Sequence, residues 1–242
     1  MDVVQNRGDG WDAETYPFNL SAVRSWETLQ LHEKVTFLVG ENGSGKSTLI
    51  EAIAIAADFN PEGGSRNTNF LSVNSHSNLH DYIRLSKSPR RPKDGYFLRA
   101  ESYFNVATNI DQLDSEFSFG PPIKSSYGGV SLHEQSHGES FMALLCERFG
   151  GQGLYILDEP EAALSPNRQL SFLARLHALV EDNSQFIIAT HSPIILAYPN
   201  AWIYQMTETG PERLPWDALE HVDLTRQFLN NPDVFLEQLL SE

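Results

Sequence analysis

Five side chains in this sequence have the types and neighbours needed to handle phosphate. Lys46 and Ser47 close the run Gly40-Glu41-Asn42-Gly43-Ser44-Gly45-Lys46-Ser47, which fits the pattern G-x-x-x-x-G-K-[ST]. Its glycines permit a tight loop whose backbone N–H groups converge on an anion at a helix N-terminus. Lys46 supplies a point charge for β- and γ-phosphates, and the Ser47 hydroxyl, with Thr48 beside it, can ligate Mg²⁺. Asp158 and Glu159 end the apolar run "GLYIL". The first suits a metal-side carboxylate, and the second suits a base that polarises an attacking water. His191 closes "QFIIATH", where an imidazole can contact a γ-phosphate. A further polar cluster, Ser136-His137-Gly138-Glu139, precedes an apolar run. On its own it is open to three readings: an acid/base or metal pair, a helix cap, or a loop that touches phosphate.

These residues sit where strands and helices should meet. "VTFLV" (35–39) reads as a buried strand. The stretch after it carries Leu49, Ile50, Ile53, Ala54 and Ala57 at helical spacing. Strand, glycine-rich loop and helix follow in order. Residues 60–80 read as an irregular insertion, 96–106 as a strand, 120–129 as a loop and 139–149 as a helix. "GLYILDEP" and "SQFIIATHSP" read as buried strands with polar carboxyl ends. The helix between them is read as capped by Ser165 before Pro166. "WIYQM" reads as a last strand, followed by two short helices parted at Pro232. Apolar strands alternating with helices predict an α/β fold with a mostly parallel central sheet covered on both faces. Function in such sheets collects at the carboxyl ends of the strands.

The chain has 242 residues, 40% of them hydrophobic. That is enough for one substantial core, and the expected organisation is one domain over 1–242 with an insertion near 60–138. Cys146 stands alone, so no intramolecular disulfide can form, and its apolar surroundings predict a buried thiol. No basic-then-apolar leader opens the chain, and no apolar run approaches the roughly 20 residues of a membrane span. The expectation is a soluble, cytoplasmic protein. The net charge of −15, from 32 acidic and 17 basic residues, disfavours nonspecific duplex binding. The one basic cluster, Lys87, Arg90, Arg91 and Lys93, reads as a solvated loop, or else as a contact patch for nucleic acid or a partner.

Taken together, "GENGSGKST", "SHGES", "LYILDEPEAALSP" and "ATHSP", in that order, resemble the ATP-binding-cassette (ABC) ATPase superfamily. The style is closer to its SMC, RecF and OLD-type branch than to a transporter subunit. Over most of its length the chain resembles small stand-alone bacterial ATPases described as AAA/ABC-like. The resemblance implies a P-loop NTPase fold that binds ATP and Mg²⁺, with Ser47 and Asp158 on the metal and Glu159 and His191 catalytic. It also implies an ATP-dependent head-to-tail homodimer, in which Ser136 and Gly138 of one copy face the nucleotide of the other. The sequence departs from the transporter pattern at His137, Glu139 and Ser165. Glu101 or Asn105 are the candidates for the glutamine loop, Phe18 or Trp26 for adenine stacking, and Arg24 for a phosphate contact. A protein or DNA partner, such as a nuclease, a toxin or a DNA end, is implied without being identified. A transporter ATP-binding subunit is the less favoured alternative.

Overall fold

The computed structural model describes residues 1–66, 77–87, 91–99 and 136–241, with Thr108, Asp111, Asp114 and Ser125 as single positions. The first strands, β1 (Asp2–Gln5) and β2 (Thr28–Gln30), are short. They are followed by β3 (Val35–Val39) and helix α1 (Lys46–Ala56). Next come β4 (Gly64–Ser65), β5 (Ile83–Ser86) and β6 (Asp94–Arg99). Helix α2 (His137–Ala143) leads through a π turn, Leu144–Arg148, to β7 (Gly153–Asp158). Then follow α3 (Pro166–Glu181), β8 (Gln185–Ala189), α4 (Pro193–Leu196), β9 (Trp202–Thr207), β10 (Gly210–Arg213), α5 (Glu220–Asn230) and α6 (Pro232–Leu240).

Seven strands form the central sheet in the order β10-β9-β3-β8-β7-β6-β4. The five inner strands are parallel, and the two edge strands, β10 and β4, run antiparallel. Side chains alternate across the sheet because the strand period is two. Phe37, Tyr155, Leu157 and Ile188 enter one apolar cluster with Phe141, Phe172 and Leu176. Leu38, Leu154, Ile156 and Ile187 enter the other, with Leu49, Ile50 and Ile53 of α1. Every residue of β3 and β7 is buried, so burial on both faces explains their unbroken apolar runs.

The sequence reading misses several elements. A second, antiparallel sheet, β2-β1-β5, lies outside the central one. Its strands have three or four residues, too few for a period to show. Strand β10 follows "WIYQM", which is therefore not the last strand. Strands β4 and β5 fall inside the 60–138 span unpredicted, whereas β6, an inner strand of the central sheet, starts two residues before the strand predicted from residue 96. The rest of that span lies mostly outside the described residues, and so do Glu101 and Asn105.

The predicted helix at 139–149 begins earlier and changes pitch. Its second half is a π turn that presents Leu144 and Leu145 to the core and Cys146 to solvent. The expected buried thiol is therefore exposed. The wider turn loosens the i→i−4 ladder, and Arg175 takes over its carbonyls. Its guanidinium donates to Leu145 O at 3.1 Å, Cys146 O at 3.2 Å and Phe149 O at 2.8 Å. Helix α3 begins at Pro166 as predicted, but the Ser165 side chain makes no capping bond.

Asp94 fastens the start of β6 to the end of this π turn. It accepts from Arg148 at 2.8 Å, Gly150 N–H at 3.0 Å and the Tyr155 hydroxyl at 2.7 Å. Burial pushes its carboxyl up, but the donors from Arg148, Gly150 and Tyr155 outweigh burial and hold it below the usual carboxylate range. Asp94→Ala removes a shared acceptor. It is expected to cost about 2–3 kcal/mol, read as a lower urea midpoint at unchanged m-value.

Candidate nucleotide site

Three neighbouring strands end together. Strand β8 lies between β3 and β7, with Leu38 opposite Ala189 and Ala189 opposite Asp158. The glycine-rich loop leaves β3, Asp158 closes β7, and Thr190-His191 leaves β8. The parallel sheet thus gathers residues more than 140 positions apart in sequence onto one edge.

The loop takes its shape from Gly43 and Gly45, which sit at φ 83° and 94°, a region unfavourable to other residues. Gly45 also has no room for a side chain, because a Cβ there would lie 2.9 Å from Leu20. Lys46 opens α1 and folds back into the loop. Its ammonium donates to Gly40 O at 2.7 Å and Glu41 O at 2.9 Å. Burial lowers the Lys46 pKa, against the opposing pull of Glu159, Asp158 and Glu161. The Ser47 hydroxyl donates to Asp158 Oδ1 at 3.2 Å. The two predicted metal-side groups therefore stand within bonding distance, and Asp158 is only 6% exposed.

Glu159 occupies a left-handed conformation, φ 52°, ψ 53°, fixed by its N–H donating to Ala189 O at 2.9 Å. A non-glycine residue held there stores strain of about 1 kcal/mol or more, and such positions cluster at functional sites. Among the described residues, the buried polar atoms without a protein partner include Ser44 Oγ in the loop and His191 Nε2. Phosphate oxygens would supply acceptors for both. With the Ser47–Asp158 pair, the residues present fit ATP and Mg²⁺.

The sequence reading did not single out Glu161. This carboxylate accepts the His191 N–H at 2.5 Å and the Thr190 hydroxyl at 2.8 Å. It ties the turn after Glu159 to the turn carrying His191. The signal was the third acid of "DEPE", which looks like one more solvated charge. Ser192 adds a second brace: its hydroxyl accepts from Ile195 N–H at 3.2 Å, caps α4 and donates to Gln169 Oε1. The pair Ser192-Pro193 is the sequence mark of that helix start.

Burial lowers the His191 pKa, and the Lys46 cation lowers it further, against Glu161 and Glu159. His221, at the start of α5, is lowered by burial and by His191. His32 is lowered chiefly by burial, and its Nδ1 accepts from Lys34 and Val35 N–H. Below the ordinary imidazole value of about 6.5, the unfolded chain binds protons that these folded imidazoles refuse. Stability is therefore full above that value and falls as the pH drops through it. The urea midpoint at pH 5.5 is expected to lie below that at pH 7.5, and equal midpoints would contradict the burial of these rings.

Of the three readings of Ser136-His137-Gly138-Glu139, the helix cap is present. The Ser136 hydroxyl accepts from Glu139 N–H, and the Glu139 carboxylate accepts from Ser136 N–H at 3.0 Å, making a capping box. Hydrogen bonds from the Ser136 side chain and backbone, followed by Arg168, hold the Glu139 carboxyl below its usual range. No group of three metal-ligating side chains exists among the described residues. Gly138 is buried, and a Cβ there would meet Ala163 O at 2.8 Å as well as Arg168. Its first constraint is thus contact within its own chain. Ser136 is exposed, and its side chain contacts Glu139 and Arg168.

Phe18 is 3% exposed, with its ring set against Trp11 and Tyr82. That makes it a core residue rather than an open stacking face for adenine. Trp26 is partly buried and donates to Ala22 O. The Arg24 side chain is exposed.

Family comparisons agree with this geometry. A model described as an AAA domain matches residues 18–129, and one described as an AAA ATPase domain matches 130–196. A Methanothermobacter marburgensis protein named "Putative ABC transporter ATP-binding protein" is 24% identical over 88% of this chain and 80% of its own length. The fold is similar to that of MJ1267, an ATP-binding cassette of an ABC transporter. The TM-score is 0.53 at 15% identity, covering 94% of this chain and 97% of that one. Fold and site define a P-loop NTPase. Within that class, the chain is similar to AAA ATPase domains in sequence and to an ATP-binding cassette in fold. No helix among the described residues is long and apolar enough to cross a membrane.

Proposed function

We propose that this chain hydrolyses ATP as an ATP-gated homodimer, opening and closing on a partner process. The observation that carries the reading is the convergence of Lys46, the Ser47–Asp158 pair, Glu159 and His191 on three adjacent strand ends. Lys46 and the loop N–H groups bind the phosphates. Ser47 and Asp158 would hold Mg²⁺, which would supply positive charge to neutralise the phosphates. Glu159 accepts a proton from the attacking water, and its pinned backbone fixes the direction of its carboxylate. His191, neutral near pH 7, donates from Nε2 to the γ-phosphate. Ser136 and Gly138 serve the nucleotide of a second copy. Support for that comes from the exposure of Ser136, whose side-chain bonds go to Glu139 and Arg168 rather than to its own phosphate loop. The cytoplasm, where ATP is abundant, is the proposed location.

Subunit mixing tests the shared site. Lys46→Ala lacks a working loop and Ser136→Ala lacks a working signature residue, so each alone is expected to be inactive. Mixed together, they form heterodimers with one intact composite site and should recover turnover. Two active variants, or no recovery on mixing, would count against the arrangement.

The names of the relatives favour a second reading, an ATP-binding subunit of a transporter. The membrane-crossing part would then be a separate chain. Co-purification with an integral membrane protein supports that reading, and its failure in detergent removes it.

A further inference from the structure

The edge of the sheet opposite the nucleotide site carries a cavity of about 650 Å³. Its lining follows the sheet order β3-β8-β7-β6, with Lys34 just before β3, Gln185 opening β8, Gly153 opening β7 and Lys93 just before β6. The floor is thus the amino-terminal edge of four adjacent parallel strands. A five-residue strand separates it from the phosphate loop by roughly 17 Å. Among the described residues, five cations line it, Lys34, Arg66, Lys87, Arg91 and Lys93, against one carboxylate, Glu33. They make up five of the 17 basic residues in a chain of net charge −15. Lys34 donates to Val180 O, and Lys87 lies 3.6 Å from Asp58. Arg91 and Lys93 are exposed and have no ion pair among the described residues. The backbone of Lys93 is pinned to Gln152 O at 2.9 Å, so its side chain projects from a fixed point.

We infer that this basin binds the phosphodiester backbone of a single-stranded nucleic acid. Lys34 at β3 and the cations around β6 lie three inter-strand steps apart, roughly 14 Å, which suits separate phosphates of one backbone better than one compact anion. Most are exposed on long stems and none closes around a small buried ligand. Among the described residues no aromatic ring lines the basin, so recognition is of backbone rather than of bases. The overall negative charge does not forbid this, because screening at physiological salt confines fields to about 8 Å and the local balance is basic.

The inference concerns a surface separate from Lys46 and stands whether or not ATP is hydrolysed. The test is fluorescence anisotropy with a short mixed-sequence single-stranded oligonucleotide and the full-length protein, over a range of salt. The wild type is expected to bind, with affinity falling as salt rises. Lys46→Ala is expected to bind equally, which separates the basin from the phosphate loop. Arg91→Gln with Lys93→Gln is expected to bind more weakly and to lose about 1.4 from the slope of log K against log salt, about 0.7 for each phosphate contact. ATP binding by that double variant serves as the folding control. No binding by the wild type overturns the inference, and so does an unchanged affinity and slope in the double variant. Loss of binding in Lys46→Ala, or full competition by an equal phosphate concentration of tripolyphosphate, also overturns it.

Discussion

Replacing Glu159 by glutamine is expected to lower ATP turnover about 10²–10⁴-fold while leaving nucleotide bound. The substitution keeps the size and the pinned left-handed backbone of the residue, φ 52°, and removes only its capacity to take a proton. No side chain that holds phosphate is replaced, because Lys46 and the Ser47–Asp158 pair are separate residues. The effect therefore belongs in kcat, with ATP affinity near that of the parent. Single-turnover kinetics and equilibrium ATP binding on the same preparation check this. Turnover within a few-fold of the parent would remove Glu159 from its proposed role.

The second large effect is expected at Glu161. Its carboxylate holds the His191 N–H and the Thr190 hydroxyl at once, joining the turn that follows Glu159 to the turn that carries His191. Glu161→Ala strands both donors and frees His191 to shift. A displacement of about 1 Å near the reacting phosphate costs on the order of 10²-fold in rate. Glu161→Gln keeps an acceptor for the His191 N–H and is expected to recover part of that loss. A positioning role predicts that kcat falls with little change in KM, and that the glutamine variant falls between the other two. If both variants lose folding stability and activity together, the residue is structural only.

Much of this site is legible in the sequence, and particular residues show why. Gly40–Ser47, Asp158-Glu159 and His191 are each flanked by apolar runs long enough to read as buried strands. A parallel sheet brings such strand ends together without further information. The Ser136–Glu139 spacing likewise contains a capping box, because that motif is local. Glu161 was not legible, since its partners are 29 and 30 residues away and set by the path of β8. The π turn was not legible either. Its apolar spacing resembles an ordinary helix, and Arg175, which satisfies its carbonyls, lies on α3. The antiparallel β2-β1-β5 sheet escaped because its strands are shorter than the period that would reveal them. The basin is not visible in sequence because Lys34 and Arg66 join Lys87, Arg91 and Lys93 only in space, while Arg90 lies outside the described residues.

The central claim is that two copies of the chain share each nucleotide. It is tested most directly by measuring the molar mass in solution of Glu159→Gln, by light scattering during gel filtration, with and without ATP and Mg²⁺. Trapped nucleotide should hold the closed state, because closure is driven only by tighter binding to the dimer. The account predicts the monomer mass without nucleotide and twice that mass with it. A monomer mass at high protein concentration with ATP bound would contradict it.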